Sequence, residues 1–171
     1  RNAVVFQHNK EWRSGAEFYY YNDKLNIDDM GYLYRNNLFS GGVNVNYTRT
    51  DFPEDSPVLS RSYSWDYWSE NTADGETIDN SIVLFFMQRF KDTSSIHLNL
   101  FTDSEGIDDD VTRGSLSAPF IENGKGLTAD FSYNTRIIGK WQADFNLHAQ
   151  KKDRLSFTER TRRVKTGIRY F

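Results

Sequence analysis

Strict alternation of apolar and polar side chains is the feature that most constrains the fold of this chain. Over residues 140–150, Trp, Phe, Leu and Ala occupy every second position, and mainly Asn, Asp, Gln and His lie between them. Residues 126–135 repeat the pattern. Successive side chains of a β-strand point to opposite faces of a sheet. A period of two over about ten residues therefore predicts strands with one apolar and one polar face.

The same alternation recurs along most of the chain and predicts eight or nine strands and no helix. The other candidate strands lie at 3–10, 16–22, 43–48, 62–67, 82–90, 96–100 and 157–171. Short connectors are predicted at 92–95 and 151–154, and long polar connectors at 23–40, 51–60, 71–80 and 103–125. All three Pro residues fall in connectors, where a missing backbone donor is tolerated. Residues 1–171 are interpreted as a single domain.

The composition of the two faces indicates the surroundings of the sheet. Only 37% of the residues are hydrophobic, yet 16% are aromatic, and many rings fall in the apolar phase of the strands. The polar phase is rich in Asn, Ser, Asp, Gln and His, which suit an aqueous lumen. In hydrocarbon, only helices and closed barrels satisfy every backbone group. We therefore predict an antiparallel transmembrane β-barrel of the outer-membrane type, with a soluble β-sandwich or lipocalin-like binding barrel as the alternative.

This interpretation assigns individual side chains to the two faces. Six residues are predicted to face lipid: Leu127, Phe131, Tyr133, Trp141, Phe145 and Leu147. Eleven residues are predicted to face the lumen: Asn44, Asn46, His97, Asn99, Asp130, Asn134, Asp144, Asn146, His148, Lys165 and Arg169. Rings near strand ends are predicted to form girdles at the bilayer interfaces: Trp12, Tyr19–Tyr21, Tyr63, Trp65, Tyr67, Trp68, Trp141 and Tyr170.

Charge and cysteine content exclude several classes of protein. The net charge of −3 argues against a nucleic-acid-binding domain. The chain has no Cys, so disulfide frameworks, thiolate catalysis and Cys-based metal sites are excluded. It has no run of 18 apolar residues, so no transmembrane helix is predicted. Arg1 opens the chain without the apolar core of a signal peptide, which indicates a mature chain or a segment of a longer protein.

Polar-phase side chains contain the residue types of a Ser-His-Asp set. These are His97, His148, Ser132, Ser156, Asp130 and Asp144. No serine lies in a nucleophile-elbow motif, so polar lining of the lumen is the favoured role and no catalytic residue is predicted.

Two charged segments offer further hypotheses. The acidic segment 103–110 lacks the spacing of a calcium-binding loop, so it is interpreted as a solvated loop and no metal or cofactor is predicted. The basic segment includes Arg163, Lys165 and Arg169 in the polar phase of the last strand. These cations are expected to pair with Asp130 and Asp144, or to bias a pore towards anions.

The C-terminus and two loop segments resemble known outer-membrane proteins. A strand that ends in Phe171 resembles the assembly signal of such proteins, with Arg169 where that signal usually has an apolar residue. Residues 25–37, LNIDDMGYLYRNN, and 108–114, DDDVTRG, resemble segments of a bacterial family. Its members have an N-terminal family 9 carbohydrate-binding-like domain and a C-terminal outer-membrane barrel. Ser115 departs from the family's Thr-Arg-Gly-Gly-Pro pattern.

The resemblance implies that residues 1–171 are the C-terminal barrel segment of a longer chain, with further strands before Arg1. Together with the alternation, it predicts a porin-like, non-enzymatic protein of a Gram-negative outer membrane. The protein is expected to act as a pore or as a surface platform linked to saccharide handling. Expected partners are outer-membrane lipids, lipopolysaccharide, the barrel-assembly machinery and saccharides, and no nucleic acid. A small barrel enzyme acting on lipid or lipopolysaccharide is the enzymatic alternative.

Overall fold

The computed structural model describes residues 2–21, 38–108, 121–153 and 157–171, and these ranges contain strands and no helix. The strands are β1 (Asn2–Gln7), β2 (Trp12–Tyr21), β3 (Leu38–Arg49), β4 (Val58–Thr72), β5 (Thr77–Phe90), β6 (Ser95–Asp103), β7 (Gly106–Asp108), β8 (Ile121–Asn123), β9 (Gly126–Asn134), β10 (Trp141–Asp153) and β11 (Thr158–Tyr170). Within the described ranges, no helix is long and apolar enough to cross a membrane.

Nine of the strands form one antiparallel sheet in the order β1-β2-β3-β4-β5-β6-β9-β10-β11. Every strand pairs with its neighbours in the sequence, except that β6 pairs with β9 because the short hairpin of β7 and β8 lies between them. The predicted all-β class is confirmed. The prediction of eight or nine strands matches the main sheet, and the hairpin adds two strands inside the predicted connector 103–125.

The prediction of a long connector at 71–80 is wrong. Both β4 and β5 continue into this segment, and Asn71 pairs directly with Thr77. The turn between them is closed by hydrogen bonds from Thr72 N to Glu76 O at 2.8 Å and from Gly75 N to Thr72 O at 3.0 Å. Gly75 has a φ of 94°, which a side chain would strain. The polar residues that suggested a loop belong instead to strand ends.

The connections divide between two ends of the sheet. One end, which we call the short-turn end, carries connections 8–11, 50–57, 91–94 and 135–140. The other, which we call the long-loop end, carries 22–37, 73–76, 104–125 and 154–157. The two longest connections therefore lie at the same end.

Ion pairs and hydrogen bonds connect neighbouring turns at the short-turn end. Lys10 forms an ion pair with Asp51, which links the β1–β2 and β3–β4 connections. Lys91 N donates to Pro57 O at 2.8 Å. Ile137 N donates to the Thr93 hydroxyl at 2.9 Å. Each of these contacts crosses from one hairpin to the next, so they hold adjacent hairpins in register.

Exposure across the sheet is the reverse of that in a soluble β-protein. Along β10 the polar phase is half-buried throughout, whereas Trp141 is 55% exposed and Leu147 is 41% exposed. Among the described residues, the only buried hydrophobic side chains are Leu38, Val58 and Ile78. The described chain thus has almost no hydrophobic core, and its large apolar side chains lie on the surface.

The strand register shows that the exposed apolar side chains form a continuous surface. One row of directly opposite residues contains Trp12, Tyr47, Tyr63, Phe86, Leu98, Phe131, Leu147 and Val164. Adjacent rings in this row are in contact, with centroids 4.9 Å apart for Trp12 and Tyr47 and 5.1 Å apart for Tyr63 and Phe86. We call the face that contains this row the apolar face and the opposite one the polar face.

The two outer strands of the sheet each have one unpaired side. Within the described residues, β1 pairs with β2 alone and β11 with β10 alone, so the sheet does not close on itself. Because nine antiparallel strands alternate in direction, β1 and β11 run the same way. A direct ladder between them would be parallel.

Gly42 makes room for an aromatic ring and gives a test of the packing. A Cβ at this position would lie 2.2 Å from Trp68 Cε3 and 2.7 Å from the Tyr67 carbonyl oxygen. We expect Gly42→Ala to lower the free energy of unfolding by about 1–3 kcal/mol, as overpacking does. Equilibrium unfolding in denaturant measures it. In a double-mutant cycle, Trp68→Leu should recover part of the loss, and strictly additive effects would contradict the packing.

The turn at 91–94 predicts a pH dependence. Asp92 Oδ1 accepts hydrogen bonds from Ser94 Oγ at 2.6 Å and from Ser94 N at 3.0 Å, and these bonds lower the pKa of the Asp92 carboxyl. Its contribution to stability is therefore present above the pKa of the unfolded chain and lost as the pH falls through the lowered pKa. We expect wild type to be more stable than Asp92→Asn at neutral pH. Chemical unfolding at several pH values should show this difference vanishing in acid, and a constant difference would contradict it.

Candidate functional site: the polar face of the sheet

The polar face collects the side chains that the sequence analysis assigned to a lumen. By register, all eleven of those residues share this face, and the six assigned to lipid share the apolar face. One row across the polar face runs through Gln7, Arg13, Asn46, Ser64, Phe85, Asn99, Asp130, His148 and Arg163. The alternation predicted this separation of residues, and the surroundings of each face remain a prediction.

His148 and Asp130 form the best-defined polar contact on this face. They are directly opposite on β10 and β9, and His148 Nδ1 lies 2.7 Å from Asp130 Oδ1. An ionised carboxylate only accepts hydrogen bonds, so Nδ1 carries the proton and donates it to Asp130. The bond fixes the imidazole orientation and leaves Nε2 free to point elsewhere, which is the arrangement of a base held by a carboxylate.

Among the described residues, no serine hydroxyl is hydrogen-bonded to His148. Ser132 lies one row away and donates to Asn146 Oδ1 at 2.7 Å. Asn146 Nδ2 in turn donates to Asp144 Oδ2 at 2.9 Å. Ser156, another member of the predicted Ser-His-Asp set, lies outside the described residues. The described part of the chain thus shows an imidazole held by a carboxylate.

The other two histidines do not form a triad either. His97 is directly opposite Ser132, whose hydroxyl is committed to Asn146. His8 Nε2 lies 2.7 Å from the Ser14 hydroxyl at the exposed β1–β2 hairpin, and within the described chain no carboxylate is hydrogen-bonded to His8. Within the described ranges, none of the three histidines is therefore hydrogen-bonded to both a serine and a carboxylate.

An open groove of about 390 Å³ runs beside the His148–Asp130 pair. Its lining includes Ser132, Asn146, Arg163 and Lys165. Arg163 is opposite His148 and Lys165 is opposite Asn146, so two cations of β11 face hydrogen-bonding groups of β10. The expected pairing with Asp144 is made by Arg169, whose Nε lies 3.7 Å from Asp144 Oδ1. Two cations in an open groove attract anions from water.

Three rings predicted for the interfacial girdles lie on the polar face instead. Tyr19, Tyr21 and Trp68 occupy the polar phase of β2 and β4. The Tyr19 and Trp68 ring centroids are 5.7 Å apart, and Trp68 Nε1 donates to Glu70 Oε1 at 3.1 Å. The alternation itself could have revealed this, because Trp68 is in phase with Ser64 and Asp66. Proximity to strand ends was the misleading criterion.

No metal site is present in the part of the chain that the structure describes. No group of three or more His, Asp or Glu side chains there is arranged to hold an ion. Of the acidic segment 103–110, residues 109 and 110 lie outside the described ranges, as do most of the two segments on which the family resemblance was based.

Comparison of the chain with family models, with curated proteins and with solved structures gives no match. The resemblance to the outer-membrane family therefore remains a prediction. The sheet itself has one polar, hydrogen-bonded face and one apolar, exposed face.

The His148–Asp130 pair can be tested by a double-mutant cycle. Both side chains are partly exposed, so we expect a coupling free energy of about 0.5–1 kcal/mol between His148→Gln and Asp130→Asn. Unfolding in denaturant at neutral pH measures it. Ser132→Ala with His148→Gln serves as the control and should be additive. Coupling in the control cycle, or none in the first, would contradict the arrangement.

Proposed function

We propose that this sheet is part of a bacterial outer-membrane β-barrel in which the apolar face contacts lipid and the polar face lines an aqueous lumen. The observation that carries the proposal is the exposure of a continuous apolar surface across the sheet, opposite a polar face that is half-buried on inner strands such as β10 and exposed on the edge strands β1 and β11. Exposed apolar patches on monomeric soluble proteins rarely exceed a few hundred Å². Hydrocarbon solvates an apolar face of this kind favourably, and water solvates the polar face.

The length of the strands supports a membrane span. Strands β10 and β11 each contain 13 residues, and β4 contains 15. At about 3.3 Å per residue and a tilt of about 45°, 13 residues rise by roughly 30 Å, the thickness of the hydrocarbon core. Strands of soluble domains average five or six residues. These strands are therefore long enough to cross a bilayer without a break.

Closure of the barrel requires strands beyond the nine in the sheet. Parallel alignment of β1 and β11 prevents them from meeting in an antiparallel ladder. An odd number of further strands would restore antiparallel pairing on both edges and give the even total of bacterial barrels. We propose that these strands belong to the same protein and that the barrel-assembly machinery joins the two edges. Outer-membrane lipids and lipopolysaccharide are then the partners of the apolar face.

Among the roles open to such a barrel, we propose a non-enzymatic pore. The groove beside Arg163 and Lys165 is open and polar, and the His148–Asp130 pair has no hydroxyl nucleophile among its described neighbours. Saccharides as solutes, or a role as a surface platform, follow from the family resemblance alone. Reconstitution of the native full-length protein into planar bilayers tests the pore. Stepwise conductance is expected, and lipid turnover abolished by His148→Ala would favour the enzymatic alternative.

Arginine substitutions test the orientation of the sheet. Phe131 and Phe145 lie on the apolar face, and Asn146 directly follows Phe145 in the sequence but lies on the polar face. We expect Phe145→Arg or Phe131→Arg to lower stability in lipid vesicles by about 2–4 kcal/mol, as a cation near mid-membrane does. Asn146→Arg is the matched control and should cost far less. Denaturant unfolding from vesicles measures both, and equal costs on the two faces would overturn the assignment.

Extraction behaviour separates the membrane barrel from a soluble binding barrel. The native protein should remain with membranes after washes with high salt or alkali, and detergent should release it. Recovery as a monodisperse monomer in buffer without detergent would overturn the proposed location and favour the lipocalin-like alternative.

A further inference from the structure

Charged side chains on the polar face are separated along the strand direction. Towards the long-loop end the described residues carry six carboxylates and one lysine: Glu17, Asp66, Glu70, Asp79, Asp103, Glu159 and Lys152. We call this set the acidic zone. Towards the short-turn end they carry five cations and two carboxylates: Arg13, Arg89, Arg163, Lys165, Arg169, Asp130 and Asp144. We call this set the basic zone.

The zones follow from the register and not from one strand alone. In the acidic zone a single row joins Glu17, Trp68, Asp103 and Lys152 across the sheet. The basic zone draws cations from both edges, with Arg13 on β2 and Lys165 on β11. Sequence order hides this separation, because the β-meander brings acidic strand ends from several hairpins to the same side.

Distance separates the outer rows of the two zones. The row of Asp103 and the row of Lys165 are three rows apart, and two residues of strand separate successive rows. At about 3.3 Å per residue this is roughly 20 Å, whereas the zones meet between the rows of Asp66 and Arg163, about 7 Å apart. The Debye length at physiological ionic strength is about 8 Å, so ions near the Asp103 row are largely screened from the Lys165 row. The potential therefore changes sign along the strand direction, and each zone dominates it in its outer rows.

We propose that the polar face is electrically bipolar, so that it attracts cations at the long-loop end and anions at the short-turn end. Combined with the proposed pore, this arrangement makes ion flow depend on direction. One sign of voltage drives cations from the acidic zone and anions from the basic zone towards each other, which fills the pore with carriers. The opposite sign draws them apart and depletes it. The bipolar face stands by itself, whereas the asymmetric conductance rests on the proposed function.

Thiol chemistry can measure the two potentials without any assumption about conduction. The chain has no Cys, so a single introduced thiol is unique. Asn44, opposite Asp66, and Asn146, opposite Lys165, are both half-buried on the polar face and give a matched pair of Asn→Cys variants. Each variant of the native full-length protein, folded in detergent, is reacted with a cationic and an anionic methanethiosulfonate of similar size.

The ratio of cationic to anionic reaction rates is the readout. We expect this ratio to be about tenfold higher at Asn44→Cys than at Asn146→Cys at low ionic strength, and to converge between the two sites at about 1 M salt. Asp66→Asn should lower the ratio at the first site, and Lys165→Gln should raise it at the second. Equal ratios at both sites, or a reversed order, would overturn the proposal.

An isosteric pair covers the case in which an Asn→Cys variant does not fold. Ser64→Cys, whose hydroxyl donates to Asp66 Oδ2 at 3.0 Å, and Ser132→Cys, opposite Asn146, replace an oxygen by a sulfur at half-buried positions beside charged residues of the two zones. In planar bilayers the native protein should carry unequal currents at opposite voltages of the same size, and Lys165→Gln with Arg169→Gln should reduce the asymmetry. Symmetric currents would overturn the directional flow and leave the pore intact. Absence of current would overturn the pore, and the thiol rates would still decide the bipolar face.

Discussion

Backbone pairing between neighbouring strands is the constraint on which the rest of this structure depends. Almost no apolar side chain in the described chain is buried, so a hydrophobic core cannot hold the sheet together. Ladders such as the thirteen paired positions of β10 and β11 take that role. A ladder fixes which residues are directly opposite, and a shift by one residue would exchange the two faces completely. The identity of each face is therefore a property of register.

The register also gives the two faces different compositions and different side-chain contacts. The apolar face is mainly aromatic and aliphatic, with Lys151, Arg160 and Arg162 on β10 and β11, and its rings contact their neighbours across strands. The polar face carries a His–Asp pair, a Ser–Asn–Asp chain of hydrogen bonds and cations on the last strand. Specific polar contacts of the described side chains are therefore concentrated on the polar face.

The face on which each side chain lies could be predicted from the sequence, because successive residues of a strand point to opposite faces of the sheet. The face of His148, Asn146 or Phe145 follows from parity alone. Which polar residue meets which does not, because the pairing of His148 with Asp130 rather than with a serine depends on hairpin register. Parity also places Trp68 correctly on the polar face, whereas its position near a strand end predicted a place in the interfacial girdle. Residues 71–80 looked like a loop because polar strand ends and polar turns have the same composition, and only the hydrogen bonds of Thr72 and Gly75 distinguish them.

The connectivity of the sheet has a consequence for how it forms. All but one of its ladders join strands that follow each other directly in the chain, so each of these ladders can form as a hairpin that starts at its own turn. The exception is the ladder of β6 with β9, which must close over residues 104–125. Loop-closure entropy grows by about 0.6 kcal/mol for each doubling of length, so this seam costs roughly 1.5 kcal/mol more to close than the turn at 91–94. Pairing of β7 with β8 within residues 104–125 shortens the length of chain that this closure leaves as a loop. Without that pairing, the ladder of β6 with β9 would have a longer loop to close.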